Sequence, residues 1–245
     1  MVTAVRGIAH VMTTVTDEHE HSEQSGQSKQ SGEPAQQEVA TFGRLEIAWD
    51  RRVLQPRPWT TAQSHWAAAV EPACPAGPVL ELFCGAGQIG LLVAALTSRP
   101  LIQVDSDEVA ASYARRNAEA AGITADVRTA RVEDALAPEE RVALVVVDPP
   151  WVPTDRVDLF PEDPESAIDG GPDGTTQLVP GLEVALDHLL PGGHVIAQVG
   201  SHEQVEQVRD LLDRLDRRGS GSGLVVRETR DYLPDGVLVH IGPPR

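Results

Sequence analysis

Lysine is almost absent from this chain of 245 residues, which has one lysine, 19 arginines and 37 acidic residues. The formal net charge at pH 7 is −17. Tight binding to a nucleic-acid backbone depends on clustered basic residues that release counterions from the phosphates. The small arginine groups at 51–52, 115–116 and 214–218 are too short for this, although a local basic patch stays open. Strong nucleic-acid binding is therefore not expected.

Cysteines and long apolar runs are also scarce. Two cysteines, Cys74 and Cys84, cannot make a disulfide framework, and no secretory leader is recognisable. The apolar patch at 5–12 is too short and too polar to span a membrane. The eight histidines show no spacing typical of a metal site. We expect a soluble cytoplasmic protein without a metal and without a membrane contact.

Two common glycine motifs are missing. The chain has no G-x-x-x-x-G-K-[ST] loop for nucleotide phosphates and no G-x-S-x-G elbow of a hydrolase. These absences argue against an NTPase and a serine hydrolase. The run Gly85-Ala-Gly-Gln-Ile-Gly90 has the G-x-G-x-x-G spacing, but one glycine loop alone is weak evidence for an NAD enzyme.

Composition divides the chain into two parts. Residues 13–39 are rich in Ser, Gln, Glu, Gly and Thr and contain almost no large apolar side chains, which predicts disorder. We therefore assign residues 1–40 to a disordered acidic and polar tail. Residues 41–245 are enough for one sizeable core and are assigned to a single catalytic domain.

A strand, a tight loop and a helix follow one another at 79–97. The strand is Val79-Leu-Glu-Leu82, and the loop carries Gly85 and Gly87, which allow positive φ and close approach of a ligand. The helix that follows offers unpaired N–H groups at its start. The next strand ends at Asp105, at the spacing where dinucleotide folds hold ribose hydroxyls. The pattern indicates a site for a nucleoside ligand.

The apolar run 142–147 predicts a strand that is buried on both faces. It stops at Asp148-Pro149-Pro150-Trp151, because prolines cannot continue a sheet. Ligands bind at this end of the strands in open α/β sheets. A carboxylate beside a flat aromatic ring suits a planar group that carries an NH2.

Alternating strands and helices predict an α/β fold, with a Rossmann-like, seven-stranded, mostly parallel sheet, an antiparallel last strand and helices on both faces. The flexible link at 219–223 should lead into two paired final strands. The expected strands are 79–83, 101–104, 126–129, 142–147, 194–199, 224–230 and 236–241, and the expected helices are 87–97, 107–121, 174–189 and 202–216.

These motifs together resemble class I S-adenosylmethionine-dependent methyltransferases. Glu81-Leu-Phe-Cys-Gly-Ala-Gly87 is similar to the family's cofactor loop, and Asp148-Pro-Pro-Trp151 to its (Asn/Asp)-Pro-Pro-(aromatic) motif. The resemblance implies S-adenosylmethionine as cofactor. It implies that Asp105 binds the ribose and that Asp134 contacts the adenine amino group. The residues it implies for the cofactor are Glu81, Phe83, Cys84, Gly85, Gly87, Asp105, Ser106, Asp134 and Arg57, and those for catalysis are Asp148, Pro149, Pro150 and Trp151.

A narrower resemblance covers residues 42–242. It is to the HemK/PrmC type, which methylates the glutamine of peptide-chain release factors. The segments that carry it are the Pro-Arg segment at 53–60, the glycine-rich loop at 168–174, the Pro-Gly-Gly turn at 190–196 and the final hairpin at 230–239. The resemblance implies methylation of a glutamine side chain in a protein, for which a release factor is the candidate partner.

Two departures keep the acceptor open. The release-factor enzymes carry Asn-Pro-Pro-Tyr, whereas Asp148 and Trp151 are typical of enzymes that methylate exocyclic amines of bases. The bacterial enzymes also have a helical domain for which residues 1–40 are too short. The alternatives are a nucleic-acid base methyltransferase and a small-molecule or natural-product methyltransferase.

Several residues have two interpretations at this point. Arg57 either lines the substrate entrance or meets the methionine carboxylate, or it is a surface arginine fixed by Pro58. Cys84 is expected to be a small residue that fits its turn rather than a nucleophile. Asp169 and Asp173 are expected to build a turn within a mobile glycine-rich flap.

Overall fold

The computed structural model describes residues 36–218 and 223–244. A strand, β1 (Glu38–Phe42), begins before residue 41, so residues 38–40 belong to the folded part rather than to the tail. Residues 1–35 of the predicted disordered tail, and residues 219–222 of the predicted flexible link, lie outside the described residues.

Two short strands at the start form a hairpin that the sequence patterns did not predict. Strand β1 pairs antiparallel with β2 (Leu45–Trp49), and Gly43 turns the chain between them with a φ of +61°. The side chain of Asn117 fastens the hairpin, because it accepts from the N–H of Ala48 and donates to the carbonyl of Ala48, both at 2.9 Å. The hairpin thereby covers one helix of the main domain.

The main sheet has seven strands, as predicted. Their order is β5-β4-β3-β6-β7-β9-β8, and the first five are parallel. The last strand of the chain, β9, runs antiparallel to both of its neighbours. The strands are β3 (Val79–Leu82), β4 (Leu101–Asp105), β5 (Ala125–Thr129), β6 (Val142–Val147), β7 (Leu189–Val199), β8 (Val225–Asp231) and β9 (Val237–Gly242).

Helices cover both faces of the sheet, and β6 shows why. Its residues Leu144 and Val146 pack into one apolar cluster, with Leu92. Its residues Val145 and Val147 pack into the other, with side chains of the later helices. The fold class is therefore confirmed. The helices are α1 (Thr61–Val70), α2 (Gln88–Thr97), α3 (Glu108–Ala121), α4 (Glu165–Ile168), α5 (Leu178–Asp187) and α6 (His202–Arg217).

The helix predicted at 174–189 is shorter in the structure at both ends, where α5 spans Leu178–Asp187. It begins only at Leu178, since Gly174 has a φ of +76° and the carboxylate of Asp173 accepts from the N–H of Thr175 in a turn. The strand predicted from residue 194 begins at Leu189, which pairs with Val142 across a bulge. The Pro-Gly-Gly run thus stays within the sheet. Helix α1 was not predicted at all.

Within the described residues, the structure has no helix long and apolar enough to cross a membrane.

Candidate active site at the carboxyl ends of the strands

The turn after β3 holds three residues in the left-handed region, namely Phe83, Gly85 and Gly87, with φ values of +61°, +54° and +85°. A Cβ on Gly87 would lie 3.1 Å from the Cα of Ala114. The position therefore needs glycine both for its φ and for the close approach of α3. The turn leaves the start of α2 open to the cleft.

Asp105 at the end of β4 fixes this turn. Its Oδ2 accepts from the N–H of Gly85 at 2.8 Å, and its Oδ1 accepts from the N–H of Asp107 at 2.9 Å. Burial raises the pKa of Asp105, and the N–H donors only partly offset this effect. Asp105 therefore has a structural contact and still faces the cleft.

Three adjoining cavities lie along this edge of the sheet. The largest, here the Asp105 cavity, has about 500 Å³ and is walled by Phe83, Asp105, Ser106 and residues 130–133. The central cavity, of about 190 Å³, shares Phe83, Asp105 and Ser106 with it. The Trp151 cavity, of about 170 Å³, is walled by all four residues of the Asp-Pro-Pro-Trp turn. The central cavity also shares Gln88, Asp148 and Pro150 with the Trp151 cavity, and the three adjoining cavities are called the cleft below.

Asp148 stands where two of these cavities meet. It ends β6 and lines both the central cavity and the Trp151 cavity. Burial alone raises the pKa of Asp148 to about 7. Among the described residues, no side chain or backbone N–H donates to its carboxylate. The group is thus available to a ligand that enters from either cavity.

Trp151 is held from behind. Its ring packs on Gly200, where a Cβ would lie 2.8 Å from the ring atom Cζ3. The side chain of Gln204 donates to the carbonyl of Trp151 at 3.0 Å and to that of Asp173 at 3.1 Å. These contacts tie the Asp-Pro-Pro-Trp turn to the glycine-rich loop and to α6.

Arg57 lies on the acceptor side of the cleft. It lines the Trp151 cavity and forms an ion pair with the carboxylate of Asp163. It is not among the residues that wall the other two cavities. The structure therefore favours the interpretation of Arg57 as a residue of the substrate entrance over a cofactor contact.

Glu81 is buried beneath the cleft rather than exposed to it. The side chain of Gln103 donates to its Oε2 at 2.6 Å, and Gly90 leaves no room for a Cβ beside it. Burial is the largest cause that raises the pKa of Glu81 to about 8, and the charges of Asp148 and Asp105 add to it. Glu81 does not line the three cavities, so its position fits support of the loop.

Of two other predicted cofactor residues, Asp134 lies off the walls of the three cavities and Cys84 lies on one of them. Asp134 is exposed and is not on the wall of the Asp105 cavity, where Val132 and Glu133 stand instead. Glu133 belongs to the turn Val132–Asp134 and lines the cavity, where it also pairs with Arg131. Cys84 lines the central cavity, and burial raises the pKa of its thiol well above the usual value, which disfavours a nucleophilic thiolate.

The glycine-rich loop is a network of turns. Asp169 accepts from the N–H of Gly171 at 2.9 Å, and Asp173 accepts from the N–H of Thr175 at 3.1 Å. Both acids therefore have the turn role that was predicted. The motion of this loop as a flap stays a prediction. No cluster of three potential metal ligands occurs among residues 36–218 and 223–244.

Two glutamines of the site were not found from the sequence. Gln88 lines the central and Trp151 cavities, and Gln198 lines the Trp151 cavity. They are 8% and 2% exposed, and their side-chain carbonyl oxygens have no hydrogen-bond partner among the described residues. Gln88 directly follows Gly87 and Gln198 lies in β7, and the fold brings both residues to the cavity that Asp148 lines.

Solved structures place this fold among the methyltransferases. The 16S rRNA N2 G1207 methyltransferase of Thermus thermophilus is similar with a TM-score of 0.57 and 17% identity, over 85% of this chain and 50% of that chain. The ribosomal protein L11 methylase of Lactobacillus delbrueckii subsp. bulgaricus gives 0.56 and 13%, over 80% and 84%. These similarities concern the fold alone. The fold is that of the Rossmann-like methyltransferases.

Sequence relatives define the family. The model of the family described as "Methyltransferase small domain" matches residues 67–160. The release factor glutamine methyltransferase of Gloeobacter violaceus is 31% identical over 201 residues, 79% of this chain and 68% of that protein. The enzyme of Mycobacterium leprae is 37% identical over 190 residues, and that of Mycobacterium tuberculosis H37Rv 35% over 169. The chain belongs to the family of the release factor glutamine methyltransferases.

The match covers only part of some relatives. The aligned region is 63% of this chain and 54% of the M. tuberculosis protein, and 73% and 64% for M. leprae. The chain thus spans about half to two thirds of the length of these relatives.

Proposed function

We propose that the protein is an S-adenosylmethionine-dependent N-methyltransferase that acts on the side-chain amide of a protein glutamine, with a peptide-chain release factor as candidate substrate. The observation that carries the proposal is the unpartnered carboxylate of Asp148 at the junction of two cavities. The relatives named as release factor glutamine methyltransferases support it.

The residues of the Asp105 and central cavities fit this cofactor. A buried carboxylate at the end of β4 suits the two ribose hydroxyls, and Phe83, Val132 and Pro180 offer apolar surface for the adenine. Glu133 and Ser106 supply polar groups on the same wall. We therefore assign the cofactor to these two cavities, with Glu133 rather than Asp134 as the acid nearest to the adenine.

Bound S-adenosylmethionine supplies a methyl group on a sulfonium sulfur that is already a good leaving group. The protein has to position the acceptor nitrogen, and positioning is worth roughly 7–11 kcal/mol in favourable intramolecular cases. Because Asp148 lines both the central and the Trp151 cavity, an acceptor in the Trp151 cavity reaches the donor side at Asp148.

Asp148 has the main part in preparing the acceptor. An amide nitrogen is a poor nucleophile, because its lone pair is delocalised. The carboxylate of Asp148 and the carbonyl of Pro149 accept its two hydrogens and direct the lone pair at the methyl group. The carboxylate also opposes the positive charge that develops on nitrogen, and it would take the proton that the methylated nitrogen loses as the sulfur leaves with its bond electrons. Trp151 stacks on the plane of the amide.

Methyl transfer from radiolabelled S-adenosylmethionine tests the proposal. The acceptors are a purified bacterial release factor and a short peptide with a Gly-Gly-Gln sequence, and Asp148→Ala is the control. We expect protease-sensitive label that depends on Asp148. Unlabelled release factor and peptide would count against the glutamine acceptor.

A lysate that is split by protease and nuclease separates the alternatives. Label in nuclease-sensitive material would point to a base amine, and label only in small molecules to a metabolite. Asp148 and Trp151 favour the base amine by their motif, whereas the release factor glutamine methyltransferases among the relatives favour the amide. The cytoplasmic location stays a prediction.

A further inference from the structure

One side of the Trp151 cavity is strongly acidic. Val152 and Asp163 both line this cavity, and the chain between them carries three exposed acids at positions 155, 158 and 162. Arg156 is the one basic residue of that segment. The segment between these two wall residues therefore carries an excess of negative charge beside the cavity.

The same mouth carries exposed apolar side chains. Leu159, within the acidic segment, is 71% exposed. Across the cavity the turn between β8 and β9 presents Leu233, which is 55% exposed, and Asp235, which is exposed and lines the cavity. Leucines of this kind bury surface readily against another protein. We define residues 154–163 together with 233–235 as the acidic rim.

The interior of the cavity points to a ligand independently of the rim. The side-chain carbonyl oxygens of Gln88 and Gln198 are unpartnered among the described residues, although the two residues are more than nine-tenths buried. Leaving a buried carbonyl without a donor is costly, so native proteins rarely do so. Asp148 lines the same cavity, and its carboxylate has no donor among the described residues, so the interior favours a group with N–H donors.

We infer that the acidic rim docks a basic, partly apolar loop of a protein acceptor and that it repels nucleic acid. The inference rests on the proposed function, since the docked loop delivers its amide to Asp148. Charges at the rim of an interface mainly raise the association rate and select the partner. The same acidic surface repels phosphate groups, whose binding requires clustered lysines or arginines.

Fluorescence anisotropy with three labelled probes tests the docking. Two short peptides share a Gly-Gly-Gln core, one with arginine and lysine flanks and one with serine flanks, and the third probe is a single-stranded RNA. The full chain should bind the basic peptide about tenfold more tightly than the serine peptide at low salt, and RNA not measurably. The preference should shrink at high salt through screening.

Matched variants locate the effect. The triple variant Asp155→Asn, Asp158→Asn and Glu162→Gln should remove most of the preference for the basic peptide. A control with the same change in charge, Asp210→Asn, Asp213→Asn and Asp216→Asn on α6, should keep it. Equal binding of both peptides, an equal effect of the control, or RNA binding as tight as that of the basic peptide would overturn the inference.

Methyl transfer to the same peptides is measured separately, so that the two proposals fail differently. Binding preference without methyl transfer overturns the glutamine acceptor and retains the docking surface. Methyl transfer to both peptides without any preference retains the proposed function and overturns the docking surface.

Discussion

Asp105 and Asp148 face one cavity from the ends of two strands, β4 and β6, that flank β3 on either side. Burial raises the pKa of both carboxyl groups. On the strand between them, Glu81 has its pKa raised further by their charges. Three acids thus share one edge of the sheet, and a positively charged ligand in the central cavity relieves their mutual repulsion. This charge arrangement favours a cationic methyl donor.

The activity should depend on pH through Asp148. Its pKa of about 7 means that the carboxylate is protonated at lower pH and accepts N–H hydrogens poorly there. We expect kcat/KM to rise as the pH increases through about 7 and then to level off. The measurement is the pH profile of methyl transfer to a Gly-Gly-Gln peptide.

Asp148→Asn provides the control for that profile. An amide does not titrate, so the step near pH 7 should disappear while a lower rate remains. If the step persists in the variant, another group causes it. The variant should also unfold at a higher temperature than the wild type at pH 8, because the cost of a buried charge is removed.

Substitutions of two neighbouring acids should have different effects on the affinity for the cofactor. Glu133 lines the Asp105 cavity, whereas Asp134 is exposed and does not. Glu133→Gln should weaken binding of S-adenosylmethionine by about three- to tenfold, the range of one polar contact. Asp134→Asn should leave it unchanged, as measured by calorimetry. The opposite result would restore Asp134 as the adenine contact.

Gln198→Leu should raise stability and impair recognition together. The substitution removes a buried carbonyl that has no partner among the described residues, and we expect a gain of about 1 kcal/mol in the free energy of unfolding. The KM for the acceptor peptide should rise about tenfold, since a polar contact to it is lost. Unchanged KM would assign Gln198 no part in acceptor binding, and cofactor affinity is the internal control.

Gly200→Ala should displace Trp151. The new Cβ would lie within 2.8 Å of the ring atom Cζ3, and such overpacking costs about 1–3 kcal/mol. We expect lower stability and a higher KM for the acceptor. Combining it with Trp151→Leu should recover part of the stability in a double-mutant cycle. Additive losses would mean that the two positions do not interact.

A buried histidine pair should make folding sensitive to acid. The Nε2 of His240 lies 3.0 Å from the Nδ1 of His194, and burial is the largest cause that lowers the pKa of His240 to about 4. The unfolded chain binds this proton near pH 6.5, the folded chain only near pH 4. Stability is therefore present above pH 6.5 and is lost as the pH falls toward 4.

We expect the loss from His240 to reach about 2 kcal/mol in the free energy of unfolding. Urea titrations of the wild type and of His240→Leu between pH 4 and pH 7.5 measure it as the difference between the two pH dependences. Parallel curves for the two proteins would show that the pair does not titrate on unfolding.

The strands of the main sheet could be predicted because their signals are local. Residues 142–147 are apolar without interruption, and Asp148-Pro-Pro-Trp151 ends the strand through the chemistry of proline. The acid at 105 and the glycines at 85 and 87 could be placed in the same way, since each follows directly from a strand end or a turn. The antiparallel pairing of the last two strands could be predicted because only a short turn separates them in the sequence.

The rest depends on contacts between distant parts of the chain. Helix α1 has only a weak apolar face, and it is held to the sheet by Gln63, which donates to the carbonyls of Val147 and Ile196, both at 3.1 Å. No local sequence pattern predicts that contact. Two further features depend on the three-dimensional arrangement as well. Gln88 and Gln198 line one cavity, and Glu133 rather than Asp134 lines the Asp105 cavity.

The walls of the two ends of the cleft come from very different stretches of the chain. The Asp105 cavity needs only residues between 82 and 180, whereas the Trp151 cavity takes residues from Leu54 to Asp235. During synthesis on the ribosome, every wall residue of the Asp105 cavity is therefore made before the final hairpin. The walls of the Trp151 cavity are complete only once the chain has reached Asp235.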